Sequence, residues 1–163
     1  DIIWVTAHIR GGMEKGMKWW KEGKLLNKKN TFEDYIAVAK FLINKKYTSK
    51  SKIIGMGGSA GGLLMGAVVN KEPELFLGMI MAVPFVDSLT TNLDHSLPLT
   101  IGDFDEFGNA QDNKEHFDYI FSYAPYQNIK KMASNEIQNR ILKDQVSNLE
   151  KQNANNKNRK FHL

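Results

Sequence analysis

The chain has no cysteine among its 163 residues and only four prolines. Without thiols it can form neither disulfide bonds nor thiolate metal sites. It also lacks an apolar run long enough to span a membrane, and it has no recognisable signal peptide. These absences predict a cytoplasmic protein that has no membrane partner and requires no cofactor or metal.

Acidic residues are in the minority, with 18 against 22 basic ones, which gives a net charge of +4 and an isoelectric point near 9.2. Proteins that bind nucleic acids gather their basic residues in one patch or stripe, often with aromatic residues between them. Here the lysines are spread from Lys15 to Lys52 and again near the C-terminus. This pattern predicts solvated basic faces and no nucleic-acid partner.

The chain opens on Asp1 and runs directly into Ile2–Ile9, an apolar segment that reads as a core strand. A core strand with nothing before it leads us to expect a fragment of a longer protein. With 42% hydrophobic residues, 163 residues can bury one core of ordinary size.

Helical and strand patterns alternate along the first half of the chain. After Ile2–Ile9, an Arg-Gly-Gly loop leads to a short aromatic helix near Met17–Glu22. Thr31–Lys46 has apolar residues at helical spacing, with Thr31 in place to serve as its N-cap.

The second half begins with the same alternation. Lys52–Met56 and Phe76–Val83 are apolar strands, and Leu63–Asn70 between them is an apolar helix. Strands separated by helices predict a parallel sheet and an α/β fold. Short helical pieces are expected near Asp87–Asp94 and Lys114–Tyr123.

The character of the sequence changes after about residue 130. Glu136–Gln152 has apolar residues at helical spacing, which predicts a solvent-exposed amphipathic helix. Asn153–Lys160 is almost entirely polar and is predicted to be disordered. We therefore predict one α/β domain over residues 1–130 and a divergent tail, helical and then disordered, over residues 131–163.

The stretch Gly57–Gly61 reads G-x-S-x-G between the predicted strand and the predicted helix. In that context the pattern is the nucleophile elbow, a strained turn that lifts the serine oxygen above the sheet. Glycines flank the serine because such a turn leaves no room for side chains. The pattern makes Ser59 the candidate nucleophile and the Ala60 N–H a donor to a developing oxyanion.

Two other glycine-rich motifs fit less well. A phosphate loop ends in Gly-Lys-Ser or Gly-Lys-Thr, which the chain lacks here, and the dinucleotide-binding fingerprint is not matched either. A plain glycine-rich turn that lets a helix pack closely on a strand remains the structural alternative.

Six segments of the sequence are distinctive when taken together: His8–Gly12, Gly23–Phe32, Met56–Gly66, Val83–Asp87, Pro98–Glu106 and Ser122–Tyr126. They resemble the oligopeptidase B branch of the prolyl oligopeptidase family of serine peptidases. The resemblance covers about the first 130 residues. It implies a partial α/β-hydrolase fold, a parallel sheet with helices on both faces, and a β-propeller domain elsewhere in the parent protein.

The resemblance also implies roles for individual residues. Ser59 matches the nucleophile that forms the acyl-enzyme, and the Ala60 amide matches one oxyanion donor. Asp103 and Asp105 match two acidic residues, usually glutamates, that hold the Arg or Lys side chain of a basic peptide substrate. Two carboxylates on an extended segment would point the same way and accept a guanidinium fork. The alternative is a solvated acidic loop made of Asp103, Asp105 and Glu106.

The other two triad members are not identified by the resemblance. Asp144 lies at about the right distance from Ser59 along the chain, but its surroundings have a helical period, so it is a weak candidate for the acid. No histidine fits the family's base, because His162 lies in a polar tail and the other three fall where the family places none: His8, His95 and His116. Arg10 is expected to form only a structural ion pair.

Three functions follow from these patterns. The first is a serine peptidase that cuts short basic peptides after Arg or Lys. The second is another α/β-hydrolase such as an esterase, because the elbow alone does not choose between amides and esters. The third is an inactive truncated fragment or interaction remnant.

Overall fold

The computed structural model describes residues 2–129. Its strands are β1, Ile53–Gly58, and β2, Phe76–Ala82. Two short 3-10 turns occupy Leu25–Asn27 and Pro73–Leu75. The helices of the described residues are α1, Met17–Lys21; α2, Lys29–Asn44; α3, Ala60–Lys71; α4, Ser88–Asn92; α5, Phe104–Phe107; and α6, Lys114–Phe121.

Strands β1 and β2 pair in parallel, and α3 connects them. Gly55 lies opposite Met79 in the register. A Cβ on Gly55 would lie 2.4 Å from the sulfur of Met79 and 2.8 Å from that of Met65 on α3. The absent side chain therefore allows α3 to pack closely on the sheet, and the predicted α/β class with a parallel sheet is confirmed.

The core is centred on α3. Leu63, Met65 and Val68 of this helix are completely buried, and Phe32 and Ile36 of α2 are almost as inaccessible. Helix α3 is apolar on nearly every side, which is typical of a helix enclosed by other elements. Burial of a large apolar side chain contributes about 1.5–3 kcal/mol, so these five residues are a major source of stability.

The start of α2 differs from the prediction. The helix begins at Lys29, so Thr31 lies inside its first turn and is not the N-cap. The Thr31 hydroxyl instead donates to the carbonyl oxygens of Arg10 at 2.8 Å and Gly23 at 3.2 Å. The prediction was wrong because a threonine hydroxyl can cap a helix or bind distant backbone, and tertiary contacts decided between them.

The predicted strand over Ile2–Ile9 is absent, and the segment has no regular secondary structure. Ile2 is 92% exposed and Trp4 77% exposed. A strand needs a hydrogen-bonded neighbour, and no strand lies beside this segment within residues 2–129. The apolar pattern is therefore real, but it has no partner in the described part of the chain.

Beyond Ile9 the chain becomes anchored. The Gly11 N–H donates to the Trp19 carbonyl oxygen at 3.1 Å, which ties the Arg-Gly-Gly loop to α1. The Trp19 ring faces two cations, with the Lys15 ammonium 4.7 Å and the Arg10 guanidinium carbon 6.0 Å from its centre. Such cation–π contacts stabilise the packing of aromatic rings near charged loops.

Among the helices of residues 2–129, none is long and apolar enough to cross a membrane. The predictions for Glu136–Gln152 and Asn153–Lys160 lie outside the described residues. The predicted boundary between the catalytic domain and its tail therefore stays a prediction.

Candidate active site

Ser59 occupies a strained turn between β1 and α3. Strand β1 ends at Gly58 and helix α3 begins at Ala60, so Ser59 alone connects the two. Its backbone has φ 52° and ψ −116°, in a region that residues other than glycine rarely adopt. This conformation agrees with the sharp strand-to-helix turn that the G-x-S-x-G pattern predicts.

Two neighbouring glycines make the turn possible. A Cβ on Gly57 would lie 2.2 Å from the Gly61 carbonyl oxygen, and one on Gly62 would lie 2.5 Å from the Cα of Pro84. Gly61 differs, because a Cβ there would meet no atom within 4 Å. The crowding is therefore specific to Gly57 and Gly62, where backbone approaches backbone.

The segment after β2 is bound to the same turn. The Ser59 N–H donates to the Ala82 carbonyl oxygen at 3.0 Å, and the Ser59 carbonyl accepts from the Phe85 N–H at 3.0 Å. Val83, between them, has φ 41° and is 84% exposed. A residue before a proline normally adopts an extended conformation, so no sequence signal indicated this second strained position.

The polar atoms at the elbow are free to act on a ligand. Within residues 2–129, neither the Ser59 hydroxyl nor the Ala60 N–H has a hydrogen-bond partner, and both residues are exposed. The Ala60 N–H lies in the first turn of a twelve-residue helix, where the helix dipole favours negative charge. The elbow therefore presents an exposed hydroxyl oxygen and, in the next residue, an N–H donor of the kind that suits an oxyanion.

The described histidines are engaged in other contacts. His116 Nδ1 accepts from the Asn109 N–H at 3.1 Å, and His95 packs edge-on to the Phe104 ring with centres 5.2 Å apart. His8 lies 3.6 Å from Glu14. Within residues 2–129 no histidine is hydrogen-bonded to Ser59, and Asp144 and His162 lie outside the described residues.

Arg10 forms the predicted ion pair, and its partner is Asp34 on α2. Arg10 Nη2 lies 2.6 Å from Asp34 Oδ1, Arg10 Nε lies 2.8 Å from Oδ2, and the Arg10 backbone N–H also reaches Oδ2 at 2.9 Å. Hydrogen bonds from Arg10 hold the pKa of Asp34 below its ordinary value. The pair ties the Arg-Gly-Gly loop to α2.

Asp103 and Asp105 do not lie on an extended segment, and that prediction was wrong. Asp103 is the N-cap residue of α5, and Asp105 lies within this one-turn helix. Local packing explains the difference, since the helix brings Phe104 and Phe107 to one side and buries Phe107 to 5% exposure. Residues two apart on a helix point in different directions, so the two carboxylates do not form a parallel pair.

The three acidic residues of this region differ in their surroundings. Glu106 pairs with Lys28 at 2.6 Å, whereas neither the Asp103 carboxylate nor the Asp105 carboxylate has a hydrogen bond or ion pair within residues 2–129. Burial of the Asp103 carboxyl and the nearby charge of Glu106 both raise its pKa. Asp105 is exposed. The region is therefore not a uniformly solvated acidic loop.

Sequence reasoning missed two residues that support α5. Lys28 is 6% exposed, so the prediction of solvated lysine faces is wrong at this position. Asn92 is also buried, and it donates to the Gly108 carbonyl at 2.8 Å and accepts from the Ala110 N–H at 2.8 Å. Both residues bind partners that are distant along the chain, and only the folded structure brings these partners together.

To bind a metal ion within residues 2–129, several side chains would have to converge on it. No group of three histidine, aspartate or glutamate side chains converges there to hold an ion.

The strand, elbow and helix define the core of an α/β-hydrolase domain, and the comparisons with known proteins agree. Residues 1–142 match the model of the prolyl oligopeptidase family. Oligopeptidase B from Leishmania major superposes with a TM-score of 0.73 at 50% identity, over 76% of this chain and 17% of the solved one. The chain belongs to the prolyl oligopeptidase family of serine peptidases.

Curated relatives lead to the same family. The chain is 52% identical over 129 residues to Protease 2 of Moraxella lacunata, covering 79% of this chain and 19% of the relative. It is 48% identical over 132 residues to dipeptidyl aminopeptidase BI of Pseudoxanthomonas mexicana, covering 81% and 18%. The chain thus spans less than a fifth of the length of these relatives.

Proposed function

We propose that this chain supplies the nucleophile and the specificity pocket of a serine peptidase that cleaves after Arg or Lys. The proposal concerns a full-length protein that carries these residues together with a propeller domain and the remaining triad members. The observation that carries it is the backbone of Ser59, held at φ 52° with a hydroxyl that has no partner within residues 2–129. Strain of this kind is concentrated at functional sites.

In the proposed reaction the Ser59 oxygen attacks the carbonyl carbon of the bond after the basic residue. A histidine outside the described residues takes the hydroxyl proton, and the carbonyl oxygen becomes an oxyanion facing the Ala60 N–H. Collapse of this intermediate breaks the C–N bond, and the leaving amine takes the proton. Water then hydrolyses the ester on Ser59 and frees the enzyme.

Asp103 and Asp105 hold the basic side chain in this proposal. Both lack a cationic partner within residues 2–129, whereas Glu106 already has Lys28. Asp103 is partly buried, and a carboxylate in such a position without a cation favours a charged side chain over a neutral one. Because the two carboxylates sit on a helical turn, each reaches the cation from its own direction. Arginine, with five donors spread over a plane, suits that arrangement better than lysine.

The test uses the full-length protein and matched Arg, Lys and Pro amide substrates. We expect Arg to be preferred over Lys, and both over Pro, with the preference lost in the double variant Asp103→Asn with Asp105→Asn. The control is Asp118→Asn, which removes an exposed carboxylate already paired with Lys114. A preference for Pro, or an Arg preference that survives the double substitution, would refute the proposed pocket.

A second candidate function is a non-catalytic chain, favoured by one observation. Within residues 2–129 no base is hydrogen-bonded to Ser59. Loss of a triad member typically lowers the rate by several orders of magnitude. Fluorophosphonate labelling decides between the two: strong labelling of Ser59 in the full-length protein supports the peptidase. Equally weak labelling in the full-length protein and the 163-residue chain supports the non-catalytic reading.

A further inference from the structure

Helix α5 has only four residues, Phe104–Phe107, and the two proposed specificity residues are its N-cap, Asp103, and its second residue, Asp105. A single helical turn does not hold its shape in water without outside contacts, because forming the first turn costs more than it gains. The orientation of Asp103 and Asp105 therefore depends on whatever fixes this turn to the rest of the domain.

One such contact is made by Lys28, at the N-cap of α2. Its ammonium lies 2.6 Å from Glu106 Oε1 and 5.0 Å from the centre of the Phe107 ring. The buried Lys28 ammonium therefore contacts two neighbouring residues of α5. The Lys28 side chain is 8% exposed and that of Glu106 is 28% exposed.

Lys28 is itself held from both sides. Its N–H donates to the Leu25 carbonyl at 3.0 Å, within the 3-10 turn that packs against α5. The next residue, Lys29, donates its N–H to the Tyr119 hydroxyl of α6 at 3.0 Å. The backbone that carries the Lys28 side chain is thus hydrogen-bonded to the 3-10 turn before it and to α6.

A buried ion pair adds little stability on balance, because removing both charges from water offsets most of their attraction. Its best-supported use is to fix one arrangement of the chain over others. Because Glu106 is already paired with Lys28, Asp103 and Asp105 are the two carboxylates of this region that have no cationic partner within residues 2–129.

We propose that Lys28 is a positioning residue for substrate specificity: through Glu106 and Phe107 it orients α5, and so it aims Asp103 and Asp105 at the basic side chain of the substrate. The inference rests on the proposed function of these two aspartates. Lys28 touches neither the substrate nor Ser59 in this proposal. Its removal should therefore weaken recognition of the cation and leave the reactivity of the nucleophile intact.

The experiment measures kcat and KM of the full-length protein for matched Arg and Leu amide substrates, together with the rate of fluorophosphonate labelling at Ser59. We expect Lys28→Met to raise KM for the Arg substrate about tenfold or more, with the labelling rate unchanged within about twofold. Glu106→Gln should act in the same direction and provides the test if Lys28→Met does not fold. Lys28→Arg, which keeps the charge, should retain most of the preference.

Two further variants define the mechanism. Because Lys28 and Glu106 act as one pair, the double variant Lys28→Met with Glu106→Gln should lose no more than the worse single one. The matched control is Lys40→Met, which removes a lysine from an exposed pair with Glu72 at 2.7 Å and should change nothing.

Two results would overturn the inference. One is an Arg-to-Leu ratio that stays within about twofold of the parent in both Lys28→Met and Glu106→Gln; the other is labelling that falls as much as Arg cleavage, which indicates a purely structural role. If the parent protein itself shows no Arg preference, the proposed function fails and this inference fails with it. If the parent protein prefers Arg and both variants keep that preference, the inference about Lys28 fails and the proposed function still stands.

Discussion

Gly57 faces the backbone of Gly61 so closely that a methyl group on Gly57 would lie 2.2 Å from the Gly61 carbonyl oxygen. The contact brings the end of strand β1 against the first turn of helix α3, on either side of Ser59 in the sequence. Its partner in the motif, Gly61, has open space on the side where a Cβ would point. Two glycines of one motif thus have different physical requirements.

This difference gives a matched pair of variants. Gly57→Ala should lower the free energy of unfolding by about 3 kcal/mol, since backbone must move to relieve the clash. Gly61→Ala should stay within about 0.5 kcal/mol of the parent or gain slightly, because alanine favours helices. Urea unfolding of both proteins measures the difference. Similar midpoints for the two variants would contradict the described crowding.

The strained backbone of Ser59 predicts that a residue with a Cβ at this position lowers the stability of the protein relative to glycine. Ser59→Gly should be more stable than Ser59→Ala by about 1 kcal/mol, because only glycine adopts this conformation without strain. Both variants lose the hydroxyl and should lose fluorophosphonate labelling. Thermal unfolding of the two variants side by side is the measurement. Equal melting temperatures would mean that the turn is relaxed.

The Arg10–Asp34 pair predicts a pH-dependent contribution to stability. Asp34→Asn should destabilise the protein by about 2 kcal/mol at pH 7, because it breaks a partly buried, doubly hydrogen-bonded pair. The pKa of folded Asp34 is lowered from its ordinary 3.8. Its contribution is therefore complete well above pH 3.8 and fades as the pH falls through the lower folded value.

Denaturant unfolding at several pH values tests this prediction. The gap between the parent and Asp34→Asn should be widest at neutral pH and should narrow below pH 3.8. Lys18→Met is the control, since the Lys18–Glu22 pair spans 3.7 Å on the surface and should contribute little. A gap that is the same at pH 7 and at pH 3 would show that Asp34 does not act through its charge.

The βαβ unit could be predicted from sequence because its signals are local. The apolar run before Gly57, the glycines of the turn and the apolar helix after Ser59 all lie within about twenty consecutive residues. Each segment has a composition, a length and flanking residues typical of one kind of structure. Strands β1 and β2 begin and end within two residues of their predicted bounds. Helix α3 ends one residue later than predicted and begins three residues earlier.

Other features depend on partners that the sequence pattern does not reveal. Ile2–Ile9 has the composition of a strand, but a strand exists only beside another strand. The helical turn after Asp103 is in contact with Lys28, which lies 78 residues from Glu106 along the chain. Sequence patterns report only residues that are close along the chain. They therefore identified the acidic residues of this region but not the helical turn on which these residues lie.

The contacts of Trp19 with Lys15 and Arg10 have an optical consequence. The three tryptophans of the chain are Trp4, Trp19 and Trp20, so all indole fluorescence arises from its first twenty residues. Trp4 is largely exposed, whereas Trp19 is packed beneath two cations whose loop is tied to α2. Trp20 is half-buried and faces the Lys24 ammonium at 3.9 Å. An emission change on unfolding therefore reports the surroundings of Trp19 and Trp20, far along the chain from the turn at Ser59.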